Sequence, residues 1–423
     1  MSAPQKEGMF TACAEWLNDW TQDLPPLLDE YDLSQWMEDE MVETVQEFIQ
    51  MAFRKSKTRT QAIEIIRALL WELYEFQSSH AKQTIPAAKE GTVERLLALP
   101  QTAQKSAAWH SEARELLTGH EFGGVVYGTD HGINTIVAKK CAPPVEVEEG
   151  AGDSRIVFIT PEDGKLSPFQ WGWRYEEVIR TLFEQEVAKG AVNDTLGRIR
   201  HPTLPRLAAS PDGLICDGPR AGRLVEIKAP FSRQLTGQIP QEYYCQMQLQ
   251  AEVTDVEAVE YIEVRLEAQP AEKLSADPKL KQKFLVPPVD VPARMGCILV
   301  ISPPGVEEEN EVTGEKELVL EPDQLVYAYS DILPLGEASL ETLLAWKPAD
   351  LAKDWIILER SVWRVGDWFT TTVPRNRRWW SEVGQPAYED FWRRVEEARA
   401  GGCSSTGAKQ KSKFLIVDSS DDE

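Results

Sequence analysis

The middle of this chain predicts a mixed β-sheet flanked by helices, and three observations lead there. Its elements run helix, strand, strand, helix, strand, the order of a mixed α/β core. The segment SPFQWGWRYEEVIRTLFEQEV spaces Trp173, Tyr175, Val178, Ile179, Leu182 and Phe183 for one buried helical side. At 423 residues and 42% hydrophobic content the chain can bury a large core, and its length suggests two or three domains.

The elements follow in order. Residues 9 to 80 read as helices: Trp16, Trp20, Leu24, Leu27 and Leu28 recur every three or four residues, and Ile63, Ile66, Leu69, Leu70 and Leu73 form the strongest stripe. We expect a helical N-terminal domain over 1–95, a main α/β domain over 96–400 and a disordered acidic tail over 401–423. Within the main domain, SAAWHSEARELLTG predicts a helix and a turn, EFGGVVYGT opens the next element, and CAPPVEVEEGAGDSR is a loop. After the long helix come strands at LAASPDGLI and RLVEIKAP, a helix at PQEYYCQMQLQAEVT and a strand at VEYIEVRLE. GCILVISP and QLVYAYSDI are strands joined by the acidic loop GVEEENEVTGEKE. A helix at SLETLLAWK, a strand at DWIILERSVWRV and a helix at PAYEDFWRRVEEARA complete the domain.

Composition excludes several classes. No apolar run is long enough to span a bilayer, and the N-terminus lacks a signal-peptide pattern, so no membrane association is expected. Cys13, Cys141, Cys216, Cys245, Cys297 and Cys403 stand singly, without the paired spacing of a zinc ribbon, a cluster site or a disulfide framework, which fits a reducing intracellular compartment. The formal net charge of −24 argues against a protein that coats nucleic acid. Residues 198–233 are the exception. There Arg198, Arg200, Arg206, Arg220, Arg223, Lys228 and Arg233 face only Asp212, Asp217 and Glu226, which suggests a local basic cleft.

The chemistry concentrates in SPDGLICDGPRAGRLVEIKAP. Asp212 sits at a turn after a strand; Glu226 and Lys228, two apart in an apolar strand, share a face, with Ile227 on the other. Two carboxylates at one junction suit a hard cation such as Mg²⁺, for which Mn²⁺ would substitute. The Lys228 ammonium would polarise an attacking water or stabilise charge on a scissile phosphate. Taken alone, E-x-K also fits a solvated edge strand; the S-P-D-G before it and the A-P after it favour a site. Gln246 and Gln250 share a helix face with Tyr243, where their amides can orient Lys228, a water or a phosphate.

Four blocks in this order resemble the lambda-exonuclease and YqaJ-like viral recombinase (alkaline exonuclease) branch of the PD-(D/E)XK nucleases: QWGWRYEEVIRTLFEQ, SPDGLI, LVEIKAPF and YYCQMQLQAEVT. The resemblance implies a PD-(D/E)XK, restriction-endonuclease-like core. It implies Mg²⁺ at Asp212, Glu226 and the Ile227 carbonyl, with Glu176 outside them or on a second ion, and catalysis by Lys228 supported by Gln246. A fifth block, QKSAAWHSEARELLTGHEFG, resembles the helix and turn that bind the DNA end. Trp109 and Thr118 fall in place there, the expected arginine is displaced to Arg114, and His120 stands where a serine belongs, which leaves any 5′-phosphate requirement open. Arg174, Gln248, Gln250 and Arg233 are the further candidates for DNA contact. The implied activity is hydrolysis of linear double-stranded DNA from its free ends, in recombination or the processing of viral replication intermediates, by a ring-shaped (trimeric) oligomer beside a single-strand annealing protein. The rivals are a structure-specific endonuclease on the same core and a non-catalytic scaffold that binds DNA or a partner.

Two features stand apart. Trp363, Trp368, Phe369, Trp379, Trp380 and Trp392, with Arg375, Arg377 and Arg378, suit core packing beside a basic loop better than a single-strand stacking platform. The tail segment Phe414–Asp418, followed by serines and acids, resembles a SUMO-interacting motif, which implies a eukaryotic host and an address in its nucleus or cytoplasm.

Overall fold

The computed structural model describes residues 85–104, 106–142, 157–160, 166–273, 294–304, 306–309, 316–319, 324–334 and 339–401. The expected helical N-terminal domain up to residue 84 and the tail with Phe414–Asp418 lie outside the described residues. Among the described residues no helix is long and apolar enough to cross a membrane.

The chain enters through α1 (Thr92–Leu97), β1 (Gln101–Thr102), α2 (Ala107–Glu112), β2 (Leu117–Thr118), α3 (Gly119–Val126) and α4 (Asp130–Cys141). Then come α5 (Pro168–Phe183), β3 (Val192–Asn193), β4 (Arg198–Arg200), β5 (Leu207–Ala209), β6 (Gly213–Ile215), β7 (Leu224–Lys228), α6 (Gln241–Thr254) and β8 (Ala258–Lys273). The last part holds β9 (Met295–Ser302), β10 (Val306–Glu309), β11 (Lys316–Val319), β12 (Val326–Tyr329), α7 (Leu340–Ala345), β13 (Ile356–Pro374) and α8 (Gln385–Ala400).

A seven-stranded sheet in the order β12-β9-β13-β8-β7-β6-β3 forms the centre. It is mixed: β7 and β8 run parallel and their neighbours antiparallel. A parallel pair needs a crossover, and α6 supplies it. Apolar side chains alternate across β7. Leu224 joins the core beneath α3, α6 and α8, whereas Val225 and Ile227 join the core beneath α5. Helices therefore cover both faces, as the PD-(D/E)XK-like expectation requires. A second sheet, β1-β4-β5-β2, lies beside the first.

Local chemistry explains the helices that frame the site. Ser167 and Gln170 close a capping box around the start of α5, and Pro168 occupies its first turn, where a missing N–H costs nothing. Ile179, Leu182 and Phe183 are then fully buried, each contributing roughly 1.5–3 kcal/mol over exposure. Helix α3 approaches α6 closely because it is glycine-rich. A Cβ at Gly119 would come within 2.9 Å of Gln246 Cγ, and one at Gly123 within 2.8 Å of Glu242 Cα. Asp255, at φ 52°, ends α6 in the left-handed conformation that aspartate tolerates.

Several elements differ from the sequence reading. LAASPDGLI is not one strand: β5 belongs to the four-stranded sheet and β6 to the seven-stranded sheet, with Ser210–Asp212 turning between them. The acidic loop contains a hairpin, β10 with β11, whose backbone pairing overrides the low strand propensity of glutamate. Helix α4 was not anticipated, and β13 runs on through Pro374. Trp363, Trp379, Trp380 and Trp392 are buried, so core packing accounts for them, while Trp368 is exposed.

Candidate active site

Asp212, Glu226 and Lys228 gather where β6 and β7 meet. Asp212 Oδ2 accepts a 2.8 Å hydrogen bond from the Ile227 N–H, so the turn before β6 is tied directly to β7. Period-two alternation places Glu226 and Lys228 toward α6. There Gln250 Nε2 donates to Glu226 Oε2 at 2.6 Å, and Lys228 Nζ donates to Gln246 Oε1 at 3.4 Å. Glu226, fully buried, pairs through Oε1 with Lys228 Nζ at 2.6 Å. The Lys228 ammonium also sits 4.5 Å above the Tyr243 ring.

The electrostatics follow from this packing. Burial pushes the Asp212 carboxyl well above the ordinary range; Glu226 and then Glu176 push it further, against Lys228 and the Ile227 N–H. Burial opposes the Lys228 charge, but Glu226 and Asp212 outweigh it and hold the ammonium well above the ordinary lysine value. Glu176 thus acts on the same field from α5, whereas Glu177 is engaged by Arg180 and Arg180 also by Asp194. Among the described residues no group of three acids, histidines or cysteines stands close enough to hold a metal ion as placed.

The Ser-Pro-Asp turn has its own supports. Trp109 Nε1 donates to Ser210 Oγ at 3.2 Å, and Gln104 Nε2 donates to the carbonyls of Leu196 and Pro211. Arg198 stacks 4.2 Å from the Trp109 ring and also donates to the Trp109 carbonyl. The upstream block therefore reaches the site, through Trp109 and through Gly119 against Gln246. Thr118 lies at the end of β2, and His120 is exposed on the first turn of α3. Thr118 donates to Glu121 at 3.4 Å. Gln104 opens the upstream block but carries no role in the sequence reading.

Five candidates for DNA contact are otherwise engaged. Arg174 is buried and paired with Glu359 at 2.7 Å, with Thr160 and the Phe158 carbonyl as further acceptors. Its helix position turns it into the protein because Trp171 and Tyr175 beside it are core residues. Gln248 is buried, donating to the Pro374 carbonyl and accepting from the Asn376 N–H. Gln250 is likewise buried and serves Glu226 rather than solvent. Arg233 is paired with buried Glu263, the register partner of Lys228 on β8. Arg114 pairs with its neighbour Glu115.

The expected basic cleft is not a free positive surface. Arg198 and Arg200 are paired with Glu112, Arg206 with Glu396, and Arg220 and Arg223 with buried Glu260; Lys228 and Arg233 have Glu226 and Glu263. The acids come from elsewhere in the chain, so a count confined to residues 198–233 misses most of them. The signal for two of them was present, since Glu260 and Glu263 interrupt the apolar start of β8, Ala258–Val264.

The stretch that holds these residues is similar to known proteins. Residues 122–257, which contain Glu176, Asp212, Glu226, Lys228, Gln246 and Gln250, match the YqaJ-like viral recombinase domain. An uncharacterized protein of Acanthamoeba polyphaga mimivirus is 25% identical over 324 residues, covering 70% of this chain, and the match spans 52%, about half, of that relative's length. Among solved structures, an alkaline exonuclease (LHK-Exo) from Laribacter hongkongensis aligns at 21% identity and TM-score 0.29, over 38% of this chain and 74% of that one. The same enzyme in complex with dAMP aligns at 23% identity and TM-score 0.29, over 37% and 73%. Over residues 122–257 the chain is thus similar to the YqaJ-like viral recombinase domain, the family that its four ordered blocks resemble.

Proposed function

We propose that this protein is a Mg²⁺-dependent exonuclease that hydrolyses phosphodiester bonds of linear double-stranded DNA, in recombination or in the processing of replication intermediates. The observation that carries the reading is the convergence of Asp212, Glu226 and Lys228 at one strand junction, with Gln246 and Gln250 fixing the latter two.

Two oxygen donors, Asp212 and Glu226, suit a hard divalent cation by their chemistry, with water and phosphate to complete its shell. Asp212 and Glu226 meet at one strand junction beside Lys228, and Glu176 adds to the field at Asp212. Glu226 is fully buried, and a charge so placed favours a cation beside it in addition to Lys228. Asp212, Glu226 and the Ile227 carbonyl would hold it, with Glu176 outside them. Bound there, it would neutralise charge on the scissile phosphate and make water a better nucleophile.

The chain's own groups do the rest. Lys228, kept protonated by its acids, donates to the attacking water or to a phosphate oxygen and stabilises the charge that develops. Gln246 and Tyr243 fix where that ammonium points. Gln250 sets the Glu226 rotamer, and the Ile227 N–H sets that of Asp212.

The test uses linear duplex DNA labelled separately at its 5′ and 3′ ends, with a closed circle alongside, in Mg²⁺. Stepwise loss from one end, an intact circle and an inactive Lys228→Ala variant are expected. Cutting of the circle would move the assignment to an endonuclease, and no cutting at all would leave a DNA-binding or partner-binding scaffold.

A further inference from the structure

We infer that Phe231 is a stacking platform for the terminal nucleobase of a DNA end, held beside the phosphodiester to be cut. The inference rests on the nuclease reading for its substrate and adds a subsite to it.

Phe231 follows Lys228 by three residues, a reach of at most about 11 Å even when fully extended. The ring is 42% exposed, one of few large apolar side chains so placed among the described residues. Its setting is nevertheless fixed on both sides. On one side its ring meets Trp171 edge-on, with centroids 5.2 Å apart and planes at 80°, and Trp171 in turn packs at 4.4 Å on Tyr175 in the core. On the other side, two residues along, Arg233 is pinned to buried Glu263 on β8. An exposed aromatic on a loop anchored at both ends loses little freedom on binding, so a flat ligand stacks on it at low entropic cost.

Position names the ligand. Trp171 stands on α5 five residues before Glu176, about 7.5 Å along the helix axis at 1.5 Å per residue. The ring thus packs on the helix that carries Glu176 and follows Lys228 by three residues, so it belongs to two of the elements that supply the candidate site. Within one nucleotide of a phosphate held there, the group with a flat apolar face is the base. Inside a duplex both faces of a base are covered by its neighbours. A terminal base has one face open, so this platform favours ends over the interior of a duplex. Base–aromatic stacking is also tolerant of sequence, as an enzyme that moves along DNA requires.

The experiment measures equilibrium binding of the full chain to short blunt duplexes by fluorescence anisotropy, with Ca²⁺ in place of Mg²⁺. One duplex is intact; others carry a single abasic nucleotide at the first, second or third position from the end. Phe231→Ala is expected to weaken binding to the intact end by roughly 5- to 150-fold, the worth of one stacked base. Phe231→Trp should keep the affinity, and Phe231→Leu should behave as Phe231→Ala. With an abasic terminal nucleotide, wild type and Phe231→Ala should bind alike. All three variants should remain folded at the assay temperature, checked by melting, because the ring is partly exposed and loses one contact, with Trp171. Equal loss by Phe231→Ala on every duplex, no loss on any, or full affinity of Phe231→Leu would overturn the platform. If the stacking pattern holds but nothing is cut in Mg²⁺, the nuclease reading alone falls. If the wild type binds no end, both fall.

Discussion

Arg174 offers a sharp separation between a structural and a DNA-binding arginine. Its guanidinium and the Glu359 carboxylate are 2% and 1% exposed and 2.7 Å apart. Removing one partner of a buried pair strands the other charge, at a typical cost of about 3–5 kcal/mol. Here Glu359 keeps two donors from Thr160, its N–H at 2.7 Å and its hydroxyl at 2.6 Å, which places Arg174→Met near the lower end, about 3 kcal/mol. For a folded unit of this size that lowers the melting temperature by roughly 5–10 °C. The assay pairs thermal melting with DNA affinity measured well below the transition. Melting should fall while affinity stays within about two-fold, since the surface has lost no phosphate contact. A variant that melts with the wild type but binds DNA several-fold more weakly would refute the structural assignment. The second variant, Glu359→Gln, should destabilise similarly, because it leaves the Arg174 charge buried without its counter-ion.

Other expectations follow from the same geometry. Gln250→Ala removes the only amide that holds Glu226 Oε2 among its described partners, and turnover should fall roughly 10- to 100-fold, with a higher Mg²⁺ requirement; unchanged metal dependence would remove Gln250 from the site. Arg200→Gln and Arg206→Gln should each leave the slope of log affinity against log salt unchanged, as their charges are already met by Glu112 and Glu396; a slope shallower by about 1 would mark a phosphate contact instead. Burial opposes the Glu252 charge, yet His201 and Arg375 outweigh it and hold its carboxyl below the ordinary 4.5. The stabilisation this gives is present above 4.5 and is lost as pH falls through the depressed folded value. Denaturant titrations from pH 6 down to about 3 should therefore show a steeper acid decline for the wild type than for Glu252→Gln. Parallel curves would show that this carboxylate does not contribute.

The central sheet and the four blocks were legible because each rests on a local pattern. Apolar periodicity marks α5, a period of two puts Glu226 and Lys228 on one face, and an i, i+4 spacing joins Gln246 to Gln250. What was not legible depends on partners far apart in sequence. Arg174 looks like any arginine beside a helix acid until β13 brings Glu359 against it, 185 residues away. Gln248 differs from Gln246 and Gln250 by two positions, yet its helix direction sends it to the backbone of Pro374 and Asn376. The break within LAASPDGLI was hidden for another reason. Both halves are good strand sequence, and only the Ser-Pro-Asp turn, fastened by Gln104 and Trp109, moves the chain from one sheet to the other. That turn is also what delivers Asp212 to Ile227.

Charge accounting then explains how a chain of net −24 can have a site for a polyanion. The arginines of residues 198–233 are paired with acids of the fold, so they contribute rigidity rather than a positive surface. Asp212, Glu226 and Glu176 are the opposite case: these acids outnumber Lys228, and burial with the other two disfavours charge on Asp212. Folding tolerates the excess because Gln250, the Ile227 N–H and Lys228 each satisfy part of it. A cation taken up there would remove the repulsion and reverse the local sign that an approaching phosphate meets. Attraction for DNA would then be confined to the place where cutting occurs, and the acidic remainder of the surface would repel strands that reach it elsewhere. On this reasoning affinity is set by the loaded site and by the grip on the terminal nucleotide, and a broad basic face is not required.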